Sequence, residues 1–106
     1  MPGEGATLAE LTAKVERVSA GYAERCNIRR DDDWFALKLQ EEVGELVAEH
    51  LRNSGRGRQR DTANADALAD EAADVLGQLL TFALHNDIDL EAALERKWFK
   101  YLEPGA

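Results

Sequence analysis

The sequence predicts an all-α protein, a four-helix bundle in a single domain spanning residues 1–106. Three observations favour this fold: apolar residues recur at helical spacing, capping residues precede the apolar stretches, and no stretch has the pattern of a β-strand. Charged residues make up 32% of the chain and hydrophobic residues 44%, as in a globular protein rather than a disordered one.

The first two helices are predicted from their caps and apolar spacing. After a flexible tail at residues 1–6, Thr7 and Glu10 have the spacing of a capping box, which begins a helix over residues 7–24. The run of acids at residues 31–33 suits the positive end of a helix dipole. It predicts a second helix over residues 32–53.

A Gly- and Arg-rich loop is predicted next, over residues 53–64. It ends at Asn64, a suitable N-cap for a third helix over residues 65–86. Asp89 can cap a short fourth helix over residues 90–102.

Charge and cysteine content limit the environment and the partners. A net charge of −8 argues against nucleic-acid binding, although a divalent cation can still bridge the protein to a small anion. The single cysteine, Cys26, excludes an intrachain disulfide and indicates a reducing compartment. There is no signal-peptide pattern, and no apolar run approaches the roughly 20 residues of a membrane span. We expect a cytoplasmic protein that binds no membrane.

The second and third helices carry the same pattern. Residues 39–47 (LQEEVGELV) align with residues 68–76 (LADEAADVL), and both follow apolar, any, acid, acid, apolar, small, acid, apolar, apolar. At about 100° per residue, one acid of each copy falls at the margin of the apolar face, and a second lies one turn further on. The marginal acids are Glu42 and Glu71, and their neighbours are Glu45 and Asp74.

Four carboxylates beside a core are costly unless they are paired or coordinated. A hard divalent cation takes oxygen ligands, and two antiparallel helices with one acid pair each can surround it. Di-iron bundles use Glu-x-x-His pairs, so Mg²⁺, or Mn²⁺ as a substitute, is expected instead of iron. The alternative is that these acids are solvated surface, which leaves the internal repeat unexplained.

The repeated segments resemble a known family. Glu41-Glu42-Val43-Gly44-Glu45 is similar to the E-E-x-x-E signature of MazG-like all-α nucleoside triphosphate pyrophosphohydrolases, and Glu71-Ala72-Ala73-Asp74 is similar to their E-x-x-D. The resemblance covers about residues 32–102. It implies Mg²⁺-dependent hydrolysis of a nucleoside or deoxynucleoside triphosphate to the monophosphate and pyrophosphate.

The same resemblance implies roles for single residues. It makes Glu42, Glu45, Glu71 and Asp74 the metal ligands and Glu41 the base that activates the attacking water. It also implies a homo-oligomer, a dimer or tetramer built from helix pairs of two chains. The small size of the chain favours the same conclusion, because a short bundle has a thin core.

Further residues are candidate substrate contacts. Trp34 can stack on a nucleobase or pack in the core, and loop residues Arg56 and Arg58 can clamp phosphates or be solvated. Lys38, before the first motif, is typical of the family. Lys97, Lys100 and Tyr101 stand where some relatives bind phosphates. Two non-enzymatic alternatives remain: a metal- or nucleotide-binding regulator, and an acidic interaction module.

Overall fold

The protein is described by a computed structural model over residues 5–56 and 64–102. Within these ranges it forms four α-helices, a final 3₁₀ helix and no strand, which confirms the all-α prediction. The elements are α1 (Leu8–Arg25), α2 (Asp32–Asn53), α3 (Ala65–His85), α4 (Leu90–Lys97) and the 3₁₀ helix (Phe99–Leu102).

Each α-helix begins at a side chain that caps its first backbone N–H groups. Thr7 and Glu10 form the capping box: Thr7 Oγ1 accepts from the Glu10 N–H at 3.1 Å, and Glu10 Oε1 accepts from the Thr7 N–H at 2.8 Å. The caps of α2, α3 and α4 are Asp31, Asn64 and Asp89. Local hydrogen bonding therefore sets the helix starts.

The fourth helix is shorter than the predicted 90–102. It ends at Lys97, and the Tyr101 N–H bonds the Trp98 carbonyl at 3.1 Å in a 3₁₀ turn. Trp98 and Phe99 are 64% and 46% exposed, so packing against the described residues gives little support to a longer α-helix here. Of the predicted loop, residues 57–63 lie outside the described part of the chain.

Helices α2 and α3 pack antiparallel along most of their length. The ring of Phe35, near the start of α2, stacks on His85, at the end of α3, with centroids 4.1 Å apart. Helix α1 crosses α3 closely at Gly77, where a Cβ would lie 3.4 Å from Val15 Cγ1. The apolar residues buried in the described part of the chain are few: Ala23, Phe35, Leu80 and Ala83.

Polar contacts of Glu16 and Ser19 connect α1 to Arg30, just before α2, and to His85 at the end of α3. Arg30 donates to both carboxylate oxygens of Glu16, at 3.0 and 2.8 Å, and to Ser19 Oγ at 3.1 Å. His85 Nε2 lies 3.0 Å from Glu16 Oε1, and the Arg30 guanidinium lies over the Phe35 ring at 5.2 Å. The hydrogen bonds from Arg30 hold the pKa of Glu16 below its usual value.

Much apolar surface is left uncovered. Helix α3 and the C-terminal segment contribute Leu76, Leu84, Leu94 and Leu102, which are 41% to 78% exposed. Among the described residues, no helix is long and apolar enough to cross a membrane.

Candidate metal centre

Three carboxylates converge where α2 packs against α3. Glu42 and Glu45 from α2 and Glu71 from α3 each offer an oxygen, and these atoms all lie within 4.8 Å of one another. The antiparallel packing brings the two copies of the repeated motif face to face. We call Glu42, Glu45 and Glu71 the carboxylate cluster.

Two oxygens of the cluster are buried without a hydrogen-bond partner. Glu42 is only 9% exposed, and neither its Oε1 nor Oε2 of Glu71 is hydrogen-bonded by any described residue. A buried, unpaired carboxylate oxygen is costly, and a bound cation would remove that cost. An all-carboxylate donor set suits a hard divalent ion such as Mg²⁺. The residues present therefore fit a divalent metal.

The electrostatics of the cluster reflect its crowding. The pKa of Glu42 is raised to about 7. The largest cause is a hydrogen bond to Glu45, and desolvation and the charges of Glu45 and Asp74 add to it. Desolvation and the same two charges also raise the pKa of Glu71. The cluster therefore retains protons where a free Glu is ionised, and a cation would have to displace them.

Asp74 stands slightly apart from the cluster. It is exposed on α3 and lines a cleft together with Glu42. Its charge contributes to the raised pKa of both Glu42 and Glu71. The four predicted ligands thus divide into three converging carboxylates and one neighbour on the cleft wall.

Glu41 lies outside the cluster and is paired with a lysine. It is exposed, and its Oε1 accepts a hydrogen bond from Lys38 Nζ at 2.8 Å. This bond raises the pKa of Lys38, so the lysine stays charged. Lys38 itself lines the cleft, which places the pair at its edge.

Glu49 is a further buried acid on α2 that the motif analysis did not single out. It is 8% exposed, and its carboxylate accepts from Arg52 at 3.0 Å and from Asn53 at 3.1 Å. Asn53 in turn accepts from the Asn64 N–H at 2.8 Å, which links the end of α2 to the start of α3. Glu49 is thus satisfied by protein groups, unlike Glu42.

The cleft, of about 560 Å³, lies between α1 and the α2–α3 pair, beside the carboxylate cluster. It contains Trp34, half-buried with its ring edge-on to Phe35 at 5.2 Å. Helix α1 forms the opposite wall, a contribution that the motif analysis missed. Its lining residues include Lys14, Val18, Tyr22 and Arg25. Their spacing of four, four and three residues marks one helical stripe, a signal present in the sequence.

Among the residues that the structure describes, the other predicted substrate contacts do not line this cleft. Lys97, Lys100 and Tyr101 are exposed on α4 and the 3₁₀ helix, and Lys100 Nζ lies 5.1 Å from the Tyr101 ring centroid. Arg56 Nε donates to Ser54 Oγ at 3.0 Å, just after α2. Arg58 lies outside the described residues.

Comparison with known families supplies one finding. The model of the MazG nucleotide pyrophosphohydrolase domain matches residues 30–103. That range contains both copies of the acidic motif and leaves out α1, with its side of the cleft. No curated protein and no solved structure matches the chain.

Proposed function

Because the chain belongs to the MazG nucleotide pyrophosphohydrolase domain family, we propose that it hydrolyses a nucleoside or deoxynucleoside triphosphate to the monophosphate and pyrophosphate, with Mg²⁺ as cofactor. The observation that carries this proposal is the pair of buried, unpartnered oxygens on Glu42 and Glu71. Glu42 lines a cleft that also contains cations and an aromatic ring.

The carboxylate cluster would hold the metal. Glu42, Glu45 and Glu71 supply converging oxygens, and Asp74, whose charge acts on Glu42, would complete the ligand set directly or through water. Bound Mg²⁺, or Mn²⁺ in its place, would neutralise the triphosphate charge and polarise the phosphoanhydride.

Glu41 is the proposed base. It accepts a hydrogen bond from Lys38 at one carboxylate oxygen, Oε1, and its other oxygen can take the proton of the attacking water. Because Glu41 lies outside the cluster, its carboxylate is not needed for the metal. General-base catalysis of this kind contributes a factor of about 10² to 10⁴ in rate.

Cations of the cleft would bind the phosphates. Lys14 and Arg25 line the wall opposite the cluster, and Lys38 lies at its edge. Arg25 folds back along α1, with Nη1 only 3.3 Å from where a Cβ of Gly21 would lie. It forms no salt bridge within residues 5–56 and 64–102, so its charge is available to a ligand.

We further propose that the working unit is a homo-oligomer, a dimer or tetramer. Each of the four α-helices leaves large apolar side chains exposed, among them Val18, Val47, Leu76 and Leu94, and an interface between chains would bury them. In such an assembly Lys97, Lys100 and Tyr101 could reach the cleft of a neighbouring chain. The negative net charge argues against nucleic-acid partners, and the single cysteine suits the reducing cytoplasm.

The test is a coupled phosphate assay. Nucleoside and deoxynucleoside triphosphates are incubated with the protein, with and without Mg²⁺, and phosphate is measured with and without added inorganic pyrophosphatase. The expected result is Mg²⁺-dependent phosphate that requires the pyrophosphatase. Nucleotide binding without pyrophosphate release would favour the regulator, and the absence of both would favour the interaction module.

A further inference from the structure

Gln78 is a polar residue of the cleft whose carboxamide oxygen is unsatisfied. Oε1 is buried, and no described residue donates a hydrogen bond to it. The backbone carbonyl of Gln78 is occupied, because Thr81 Oγ1 donates to it at 3.0 Å. A buried acceptor without a donor is costly in the free protein, and a ligand N–H would remove that cost.

The position of Gln78 along α3 relates it to the carboxylate cluster. It follows Asp74 by one turn on the same helical face, about 6 Å along the axis. Trp34 lines the same cleft from α2, about 12 Å of helical rise before Glu42. A triphosphate held at the acids would therefore place its nucleoside towards Gln78 and Trp34.

The chemistry at this end of the cleft suits a base rather than a phosphate. Gln78 is neutral and offers an acceptor together with N–H donors, which can pair with the hydrogen-bonding edge of a nucleobase. The indole of Trp34 offers a stacking surface for a base. The lining residues of α3 next to Gln78, Gly77 and Thr81, carry no charge, and the nearest cation on α2 is Lys38, one turn from Trp34.

We propose that Gln78 is a specificity-determining residue that binds the nucleobase of the substrate through its carboxamide. This inference rests on the proposed function and adds the recognition of the base to it. It assigns the cluster to the triphosphate and Gln78 to the base, so the two ends of the cleft can be tested separately.

The experiment compares Gln78→Met with wild-type protein in binding two probes. Isothermal titration calorimetry is done with Mg²⁺ and either α,β-imido nucleoside triphosphates of the four bases or inorganic tripolyphosphate, which has no base. Methionine keeps the length of the side chain and removes its hydrogen bonds. We expect about a tenfold loss of affinity for the best-bound nucleotide and unchanged affinity for tripolyphosphate.

The matched control is Gln40→Met, which makes the same change at an exposed glutamine of α2 outside the cleft. It should leave both affinities unchanged. The melting temperature separates recognition from packing: Gln78→Met should match or exceed wild type, because an unsatisfied buried group is removed.

Two results would overturn the inference while leaving the proposed function intact. One is unchanged affinity of Gln78→Met for the best-bound nucleotide. The other is an equal loss for nucleotide and tripolyphosphate together with a lower melting temperature, which would make Gln78 a structural residue. If wild-type protein bound neither probe, the proposed function and this inference would fail together.

Discussion

The Lys38 Nζ atom lies 2.8 Å from Oε1 of Glu41, one turn apart on α2 at the edge of the cleft. The pair joins two residues for which the sequence predicted separate roles, a substrate contact and a base. Successive residues of a helix point about 100° apart, and Glu41, the acid next to Glu42 in sequence, is not part of the carboxylate cluster.

Glu41→Gln is expected to reduce kcat by at least about 100-fold, because glutamine cannot accept the water proton. Glutamine can still accept the hydrogen bond from Lys38, so Mg²⁺ affinity should change by less than about twofold, a small free-energy difference. Steady-state kinetics and calorimetric Mg²⁺ titration check this. Equal losses in rate and metal affinity would reassign Glu41 as a ligand.

Replacing each of Glu42, Glu45, Glu71 and Asp74 by Ala should abolish activity while the fold is kept. Removing one of several repelling, unpaired acids leaves the metal-free protein as stable or more stable. Melting temperatures, measured by circular dichroism with and without Mg²⁺, should show that the variants lose the stabilisation by the metal.

Glu49→Gln is the contrasting variant among the buried acids of α2. It weakens satisfied contacts with Arg52 and Asn53, so it should destabilise the protein by about 1 kcal/mol. If the alanine variants of the metal-binding acids unfolded, those acids would be structural residues. If Glu49→Gln were more stable than wild type, Glu49 would not stabilise the fold.

In a chelator, the protein should be more stable at about pH 5 than at about pH 8. The pKa of Glu42 is raised in the folded state from 4.5 to about 7, and that of Glu71 is also raised. The folded state therefore binds more protons than the unfolded chain between these pH values, and stability falls as the pH rises through this window.

Saturating Mg²⁺ should remove or reverse this pH dependence, because the metal binds the deprotonated carboxylates. Thermal unfolding over a pH series, with chelator or with Mg²⁺, measures both effects. Glu16 does not contribute to the pH dependence in this window. Its pKa is lowered in the folded state, so the stability that it adds is lost only at more acidic pH. Parallel pH profiles in the two conditions would contradict metal binding at the cluster.

Arg30→Met should destabilise the fold by about 2 kcal/mol, the range for hydrogen bonds to a charged group. It removes both hydrogen bonds to Glu16 and the one to Ser19, which fasten α1 beside the cleft. Urea denaturation measures the free energy of unfolding of each variant. Arg29→Met, at the neighbouring exposed position with no salt bridge among the described residues, is the control and should have little effect.

Light scattering coupled to size-exclusion chromatography should give at least twice the chain mass of 11.8 kDa. Val47 on α2 is 50% exposed, and Val47→Lys should weaken association if this face is the interface, because it places a charge in apolar surroundings. A fully active protein eluting at the mass of one chain would refute the oligomer.

Some features of the site could be predicted from the sequence because they depend on local spacing. The helical wheel places Glu42 and Glu71 nearer to the core than Glu45 and Asp74, and the structure has the same order of burial. Caps at Thr7, Asp31, Asn64 and Asp89 are likewise local, since each bonds a backbone N–H three residues away.

Other features depend on partners distant in sequence. Glu16 and His85 are 69 positions apart, and no periodicity relates them. The role of α1 as a wall of the cleft follows from its close crossing with α3 at Gly77, which helical spacing alone does not specify. The early end of α4 also has a tertiary cause, because the described chain leaves Trp98 64% exposed.

The sequence by itself determined the helices, their starts and the pairing of acids along each copy of the motif, because these depend on neighbours within four residues. The tertiary structure alone decided which acids converge, that one oxygen of Glu42 has no partner while Glu49 is satisfied, and that Gln78 lines the cleft. The physical reason is that desolvation and hydrogen-bond satisfaction depend on everything packed around a side chain, and the packing of α1, α2 and α3 brings those groups together from distant positions.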